Sequence, residues 1–97
     1  MQKIFTVYDE KAEAYLPPFF LNTNGEAIRA ITDCVNDLNH QFGKHPSDYT
    51  LFSLGTYDPQ SGTFENEKAP LGNLLEFKTQ PVMYENDNSK IKLVEGE

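Results

Sequence analysis

His40, Lys44 and His45 stand in a window, Leu38 to Ser47, that holds no acid, within a chain whose formal net charge is -7. Two imidazoles and an ammonium in one loop suit an anion. Imidazoles ordinarily titrate near about 6.5, so the window's charge should rise from about +1 toward about +3 as pH falls from about 8 to about 6. As a metal pair the two histidines are weak, because zinc asks for three or four ligands and no cysteine stands beside them. Asp37 and Asp48 flank the window, but acids in turns usually answer local backbone needs. No metal or other cofactor is expected.

Nucleophilic catalysis needs a base and an orienting group beside the nucleophile. The single cysteine, Cys34, falls on the apolar stripe of a helix and reads as a small core residue. The acid pairs Asp9-Glu10 and Glu65 with Glu67 read as solvated surface, and no phosphate-cradling glycine loop is present. The chain is not expected to be an enzyme.

The aromatics offer other chemistry. Single-stranded nucleic acid is bound by flat rings on which bases stack, interleaved with cations. The candidate rings are Phe5, Tyr8, Tyr15, Phe19, Phe20, Phe42, Tyr49, Phe52 and Tyr57, and the nearby cations are Lys3, Lys11, Arg29 and Lys44. Tyrosine is favoured among the rings because its hydroxyl tolerates a wet surface. The nucleic-acid-binding set is therefore Lys3, Tyr8, Lys11, Tyr15, Arg29, His40, Lys44, His45 and Tyr49.

Bulk properties restrict these readings. The 97 residues carry 15 Asp and Glu against 8 Lys and Arg, which argues against general coating of nucleic acid and requires any binding face to be local. A chain this short buries a modest core, so a homodimer is expected. The lone cysteine excludes an internal disulfide and points to a reducing compartment. No signal peptide is evident, and no apolar run reaches the roughly 18 residues that cross a bilayer, so no membrane partner is expected.

The elements that must position these residues can be read from periodicity. Lys3–Tyr8 alternates as a strand. Ala14 to Gly25 is uncharged and holds Pro17 and Pro18, which exclude a central strand and suggest an irregular segment. Thr23 and Glu26 form a capping box, and Ile28, Ile31, Val35 and Leu38 then trace the apolar stripe of a helix over about 24–38 that ends near Asn39. Strands are expected at 49–57 and 62–67, joined by the turn Asp58-Pro59-Gln60-Ser61-Gly62. Lys68–Gly72 reads as a looser connection to a strand or helical turn at 73–78. The fold class is α+β: a small antiparallel sheet from 3–8, 49–57, 62–67 and 73–78, packed on one amphipathic helix. Residues 1–80 form the domain. Residues 81–97 read as a weakly ordered acidic tail whose Lys90–Val94 stretch suits an edge strand. One helix covers one sheet face, so a dimer is expected to bury the other face or the aromatic segment 15–21.

Lys3-Ile4-Phe5-Thr6-Val7-Tyr8-Asp9-Glu10-Lys11-Ala12, Ala27-Ile28-Arg29, Val35-Asn36-Asp37, His45-Pro46-Ser47-Asp48-Tyr49-Thr50-Leu51-Phe52 and Leu54-Gly55, taken in order, carry a family likeness. Over residues 2–78 the chain resembles the small nonstructural protein of gokushovirus-type microviruses, single-stranded DNA phages. The resemblance implies a non-enzymatic protein of the host bacterial cytoplasm. It would bind single-stranded DNA where duplex replication gives way to single-stranded genome synthesis or packaging. It assigns no contact residue. Two 38–47 loops paired in a dimer, with Arg29, would line a positive groove for that strand. The acidic surface supports a second expectation, a protein-interaction module that engages a basic host or phage replication or capsid protein, as a nucleic-acid mimic.

Overall fold

The computed structural model describes residues 1–79. The expectations for the 81–97 tail, its edge strand included, fall outside the described residues. Strand β1 (Gln2–Asp9) lies at the centre of an antiparallel sheet, as its run of β-branched and aromatic residues suits. Along one edge it pairs with β4 (Tyr49–Asp58), from Gln2 opposite Tyr57 to Asp9 opposite Tyr49. Along the other edge lie two short strands, β2 (Ala14–Tyr15) and β3 (Phe19–Leu21).

The segment expected to be irregular thus forms edge strands around its prolines. Pro17 and Pro18 fall between β2 and β3, where the ladder is interrupted and no proline amide is required. Leu16 closes the gap instead: its amide donates to the Val7 carbonyl at 2.8 Å, and its carbonyl accepts from the Thr6 hydroxyl at 2.6 Å.

The hairpin forms where turn chemistry predicts it. The Asp58 carboxylate accepts from the Gln60 amide at 2.9 Å, and Gly62, at φ 73°, donates its amide to the Asp58 carbonyl at 2.7 Å. The return strand β5 (Thr63–Asn73) is longer than expected, so Lys68–Gly72 is strand and not a loose connection. Asn73 ends that strand, and beyond it the chain takes the helical turn, the other form expected at 73–78. The Asn73 side chain accepts from the Leu75 amide at 2.9 Å and the Glu76 carboxylate from the Asn73 amide at 3.3 Å, which opens a 3-10 turn at Leu74–Phe77.

Helix α1 (Asn24–Val35) begins as read, with the Thr23 hydroxyl accepting from the Glu26 amide at 3.1 Å. The Glu26 carboxylate reaches one residue further back than a capping box requires, to the Asn22 amide at 2.9 Å. The helix stops at Val35 and not near 38, because Asn36 turns its side chain onto other backbone. Its amide nitrogen donates to the carbonyls of Thr32 and Phe77, and its Oδ1 accepts from Thr79 at 2.8 Å. Leu38, expected on the apolar stripe, is 72% exposed as a result.

The window expected to be an open loop is instead structured. It contains the single-turn helix α2 (Gln41–Lys44) and a 3-10 turn at Pro46–Asp48. Phe42 and Gly43 are buried there, and a Cβ on Gly43 would lie 2.1 Å from the Asp37 carbonyl oxygen. The core comprises Phe5 and Val7 of β1, Ala27, Ile31 and Val35 of α1, Phe42, Tyr49, Leu51 and Leu74. The fold is α+β: a five-stranded antiparallel sheet ordered β2-β1-β4-β5, with β3 also beside β1, and α1 covering one face.

Candidate nucleic-acid interface

Side chains along a strand alternate between faces, so Phe5 and Val7 turn toward α1 while Ile4, Thr6 and Tyr8 turn away. Opposite them, Tyr49 and Leu51 go to the helix side and Phe52 to the other. A register shift then inserts Leu54, since Phe5 pairs with Ser53 and Ile4 with Gly55. The bulge reverses the alternation of β4 and brings Tyr57 to the same face as Phe52. Gly55 makes it possible: its φ is +139°, and a Cβ there would lie 1.9 Å from the Glu65 carbonyl oxygen.

The face away from the helix consequently carries two groups of rings. In the first, Tyr8 and Tyr15 have centroids 4.7 Å apart, and Tyr15 meets Phe52 edge-on at 5.6 Å. In the second, Tyr57 lies 6.0 Å from Phe20 and 4.9 Å from Phe64. Tyr15 is 45% exposed, Phe20 42% and Phe64 60%. The Lys68 ammonium sits 4.4 Å from the Tyr15 centroid and 5.2 Å from that of Phe52, and it donates to the Tyr15 hydroxyl.

The carboxylates of the strands are absent from this face by register. Asp9 pairs with Tyr49, Asp58 with Thr63 and Glu65 with Thr56, all on the helix side, and Glu67 lies beside Lys3 and Asn24 there. Lys68 is the one charged residue that the strand register assigns to the ring face among the described residues.

The predicted basic cluster has a different setting. Lys11, Lys44, His45 and Tyr49 do gather around one open depression, but Asp9, Asp48, Asn39 and Gln41 line it with them. The Glu10 amide donates to the Asp48 carbonyl at 2.9 Å and so draws the turn after β1 against the 3-10 turn. The window that is acid-free along the chain is therefore not acid-free in space. His40 caps the short helix that follows it, since its Nδ1 accepts from the Phe42 amide at 3.0 Å and its ring lies 4.7 Å from that of Phe42.

The remaining predicted residues are dispersed. Tyr49 is 3% exposed, packs on Phe42 and receives a hydrogen bond from Gln41, so its ring offers no surface to a base. Phe5 is likewise in the core. Arg29 is exposed on α1, and Lys3 lies near the start of that helix with Glu67 and Asn24, each away from the Lys11 and Lys44 depression. Cys34 is half-buried and lines an apolar cleft of about 370 Å³ with Leu16, Pro17, Phe19 and Ile31. Burial, followed by the nearby charges of Asp33 and Asp37, pushes its thiol pKa up. Among the described residues no three His, Cys, Asp or Glu side chains gather to hold a metal, and no helix is long and apolar enough to cross a membrane.

Of the predicted set the ring face retains Tyr8 and Tyr15. Sequence reasoning missed Lys68 and Phe64 and left Phe20, Phe52 and Tyr57 outside the chosen set. Strict alternation assigns Tyr57 to the face of Tyr49, and the glycine at position 55 was the available sign that alternation breaks there.

A profile of the family described as Phage ORF5 protein matches residues 2–80. No curated protein and no solved structure matches the chain.

Proposed function

We propose that this chain, which belongs to the Phage ORF5 protein family, binds single-stranded DNA in the host bacterial cytoplasm as a nonstructural protein of a gokushovirus-type microvirus. It would act where duplex replication gives way to single-stranded genome synthesis or packaging. The observation that supports this reading is the ring face, onto which the register of the described strands turns no carboxylate, with Tyr8, Tyr15 and Phe52 under Lys68 and with Phe20, Tyr57 and Phe64 beyond them. Stacking on such rings supplies affinity that does not come from cations, so a local face can act in a chain of net charge -7. Duplex DNA hides its base faces and should bind far more weakly.

Titration of the tyrosine fluorescence with a single-stranded oligonucleotide and with its duplex at low salt tests the reading. Saturable quenching by the single strand supports it, and absence of binding by every oligonucleotide ends it. The homodimer expected from chain length would use this same face, so sedimentation with and without DNA separates the two uses. A second reading rests on β5, whose residues Thr63–Pro70 are exposed along a sheet edge that is unpaired among the described residues and carries Glu65 and Glu67. That edge suits a basic strand of a host or phage replication or capsid protein. Recovery of such a protein by the pure chain, in the absence of DNA binding, would select it.

A further inference from the structure

We infer that the bound strand lies with its bases turned into the sheet and its phosphates outward, so that ring stacking, not phosphate neutralisation, supplies most of the affinity; this rests on the single-strand reading above. The two ring groups are set along β1 at the level of Thr6 and of Gln2. Four strand residues separate those levels, or about 13 Å. Beside the first group is a depression of about 250 Å³ lined by Thr6, Tyr15, Leu16, Pro18, Leu54 and Lys68. The Thr6 hydroxyl is already committed to the Leu16 carbonyl, which leaves the Tyr15 hydroxyl and the Lys68 ammonium as the polar side-chain groups of the depression.

Such a lining receives the flat face of a base and offers little to its hydrogen-bonding edge. Recognition should then be tolerant of base sequence. Charge points the same way. A strand held by its phosphates needs several cations along one groove, whereas among the described residues the strands turn Lys68 and no carboxylate to this face. Single-strand affinity falls with salt at a logarithmic slope of about -0.7 for each phosphate neutralised, so one lysine implies a slope of about -0.7 in total.

The test measures binding of three ligands from about 50 to 500 mM salt: an oligothymidylate, a mixed-sequence strand of equal length and an abasic phosphodiester of equal length. The expected result is similar affinity for the first two, a slope of about -0.7, and at least about tenfold weaker binding of the abasic chain. Tyr15→Ala should weaken the oligothymidylate about 5- to 100-fold while Tyr15→Phe retains it. Lys68→Gln should flatten the salt dependence. Tyr15 is exposed, so a folded variant is expected, and Phe64→Ala in the second ring group repeats the test should Tyr15→Ala alter the urea midpoint. Equal binding of the abasic chain, a slope of about -3 or steeper, or losses confined to Lys11→Gln and Lys44→Gln would overturn the inference while leaving single-strand binding intact. Failure of all three ligands to bind removes both. Loss of a dimer in Tyr15→Ala without any change in DNA affinity assigns the face to a second copy and also overturns it.

Discussion

The two faces of one sheet put the same kinds of residue to opposite use. On the helix side Phe5, Val7, Tyr49 and Leu51 are packed by α1, Phe42 and Leu74 until almost no surface reaches water. On the other side Tyr8, Tyr15, Phe52 and Tyr57 come from the same or adjoining strands, yet among the described residues no helix covers them, and Tyr15, Phe20 and Phe64 keep much of their area open. A side chain buried on the first face contributes through transfer from water and close packing. A ring on the second contributes mainly through its neighbours and remains available to a ligand. Identity of residue does not separate the two roles, since Tyr49 belongs to the first and Tyr57 to the second.

The difference should be largest in stability. Phe5→Ala removes a fully buried ring from the core and should cost about 3–5 kcal/mol in urea unfolding. Phe64→Ala, across the sheet, should cost less than about 1.5 kcal/mol, since it loses one aromatic neighbour and little burial. Equal costs would mean that the open face is not open in solution.

The bulge that divides the faces should rank next. Gly55→Ala forces a Cβ toward the Glu65 carbonyl at a φ of +139° and should cost at least about 1–3 kcal/mol. It should also weaken oligonucleotide binding, because Tyr57 loses its place beside Phe20 and Phe64. A variant as stable as the parent and unchanged in binding would show that the reversal of β4 is not required. Thr23→Ala touches only the helix side and should cost about 1 kcal/mol through the lost cap, with no effect on binding.

The smallest expected effect lies at the hairpin turn. Backbone hydrogen bonding from Gln60, with a lesser contribution from Ser61, holds the Asp58 carboxyl below the ordinary aspartate range. A pKa depressed on folding stabilises the fold above the unfolded value and loses that contribution as pH falls through the folded one. Asp58→Asn should therefore slightly lower the urea midpoint at pH 7 and flatten its dependence on pH below about 4. An unchanged acid profile would show that the turn hydrogen bonds do not distinguish the ionised carboxylate.

Local signals were legible where neighbours along the chain decide the outcome. The Thr23 cap, the apolar spacing of Ile28, Ile31 and Val35, and the Asp58–Gly62 turn each act within a few residues, and each is present in the structure. The reading failed where distant residues intervened. Leu38 fits the helical period, but Asn36 is drawn to the carbonyl of Phe77 and the amide of Thr79, and the helix ends before Leu38. The Leu38–Ser47 window is free of acid in sequence, but the fold returns Asp9 to it from the end of β1. His40 reads as an exposed loop residue along the chain, whereas the turn of α2 makes its Nδ1 the acceptor of the Phe42 amide.

By itself the sequence determined the α+β class, the start of the helix and the hairpin turn. These follow from periodicity, capping and composition, which are local or additive properties of the chain. Only the tertiary structure decided which rings are core and which are surface, and it placed Lys68 over Tyr15 across 53 positions of sequence. Those outcomes depend on register, and register shifts at Ile4/Phe5, Leu51/Phe52 and Ser53/Gly55 move side chains between faces. A strand pattern read in isolation has a period of two and carries no record of where a partner strand interrupts it.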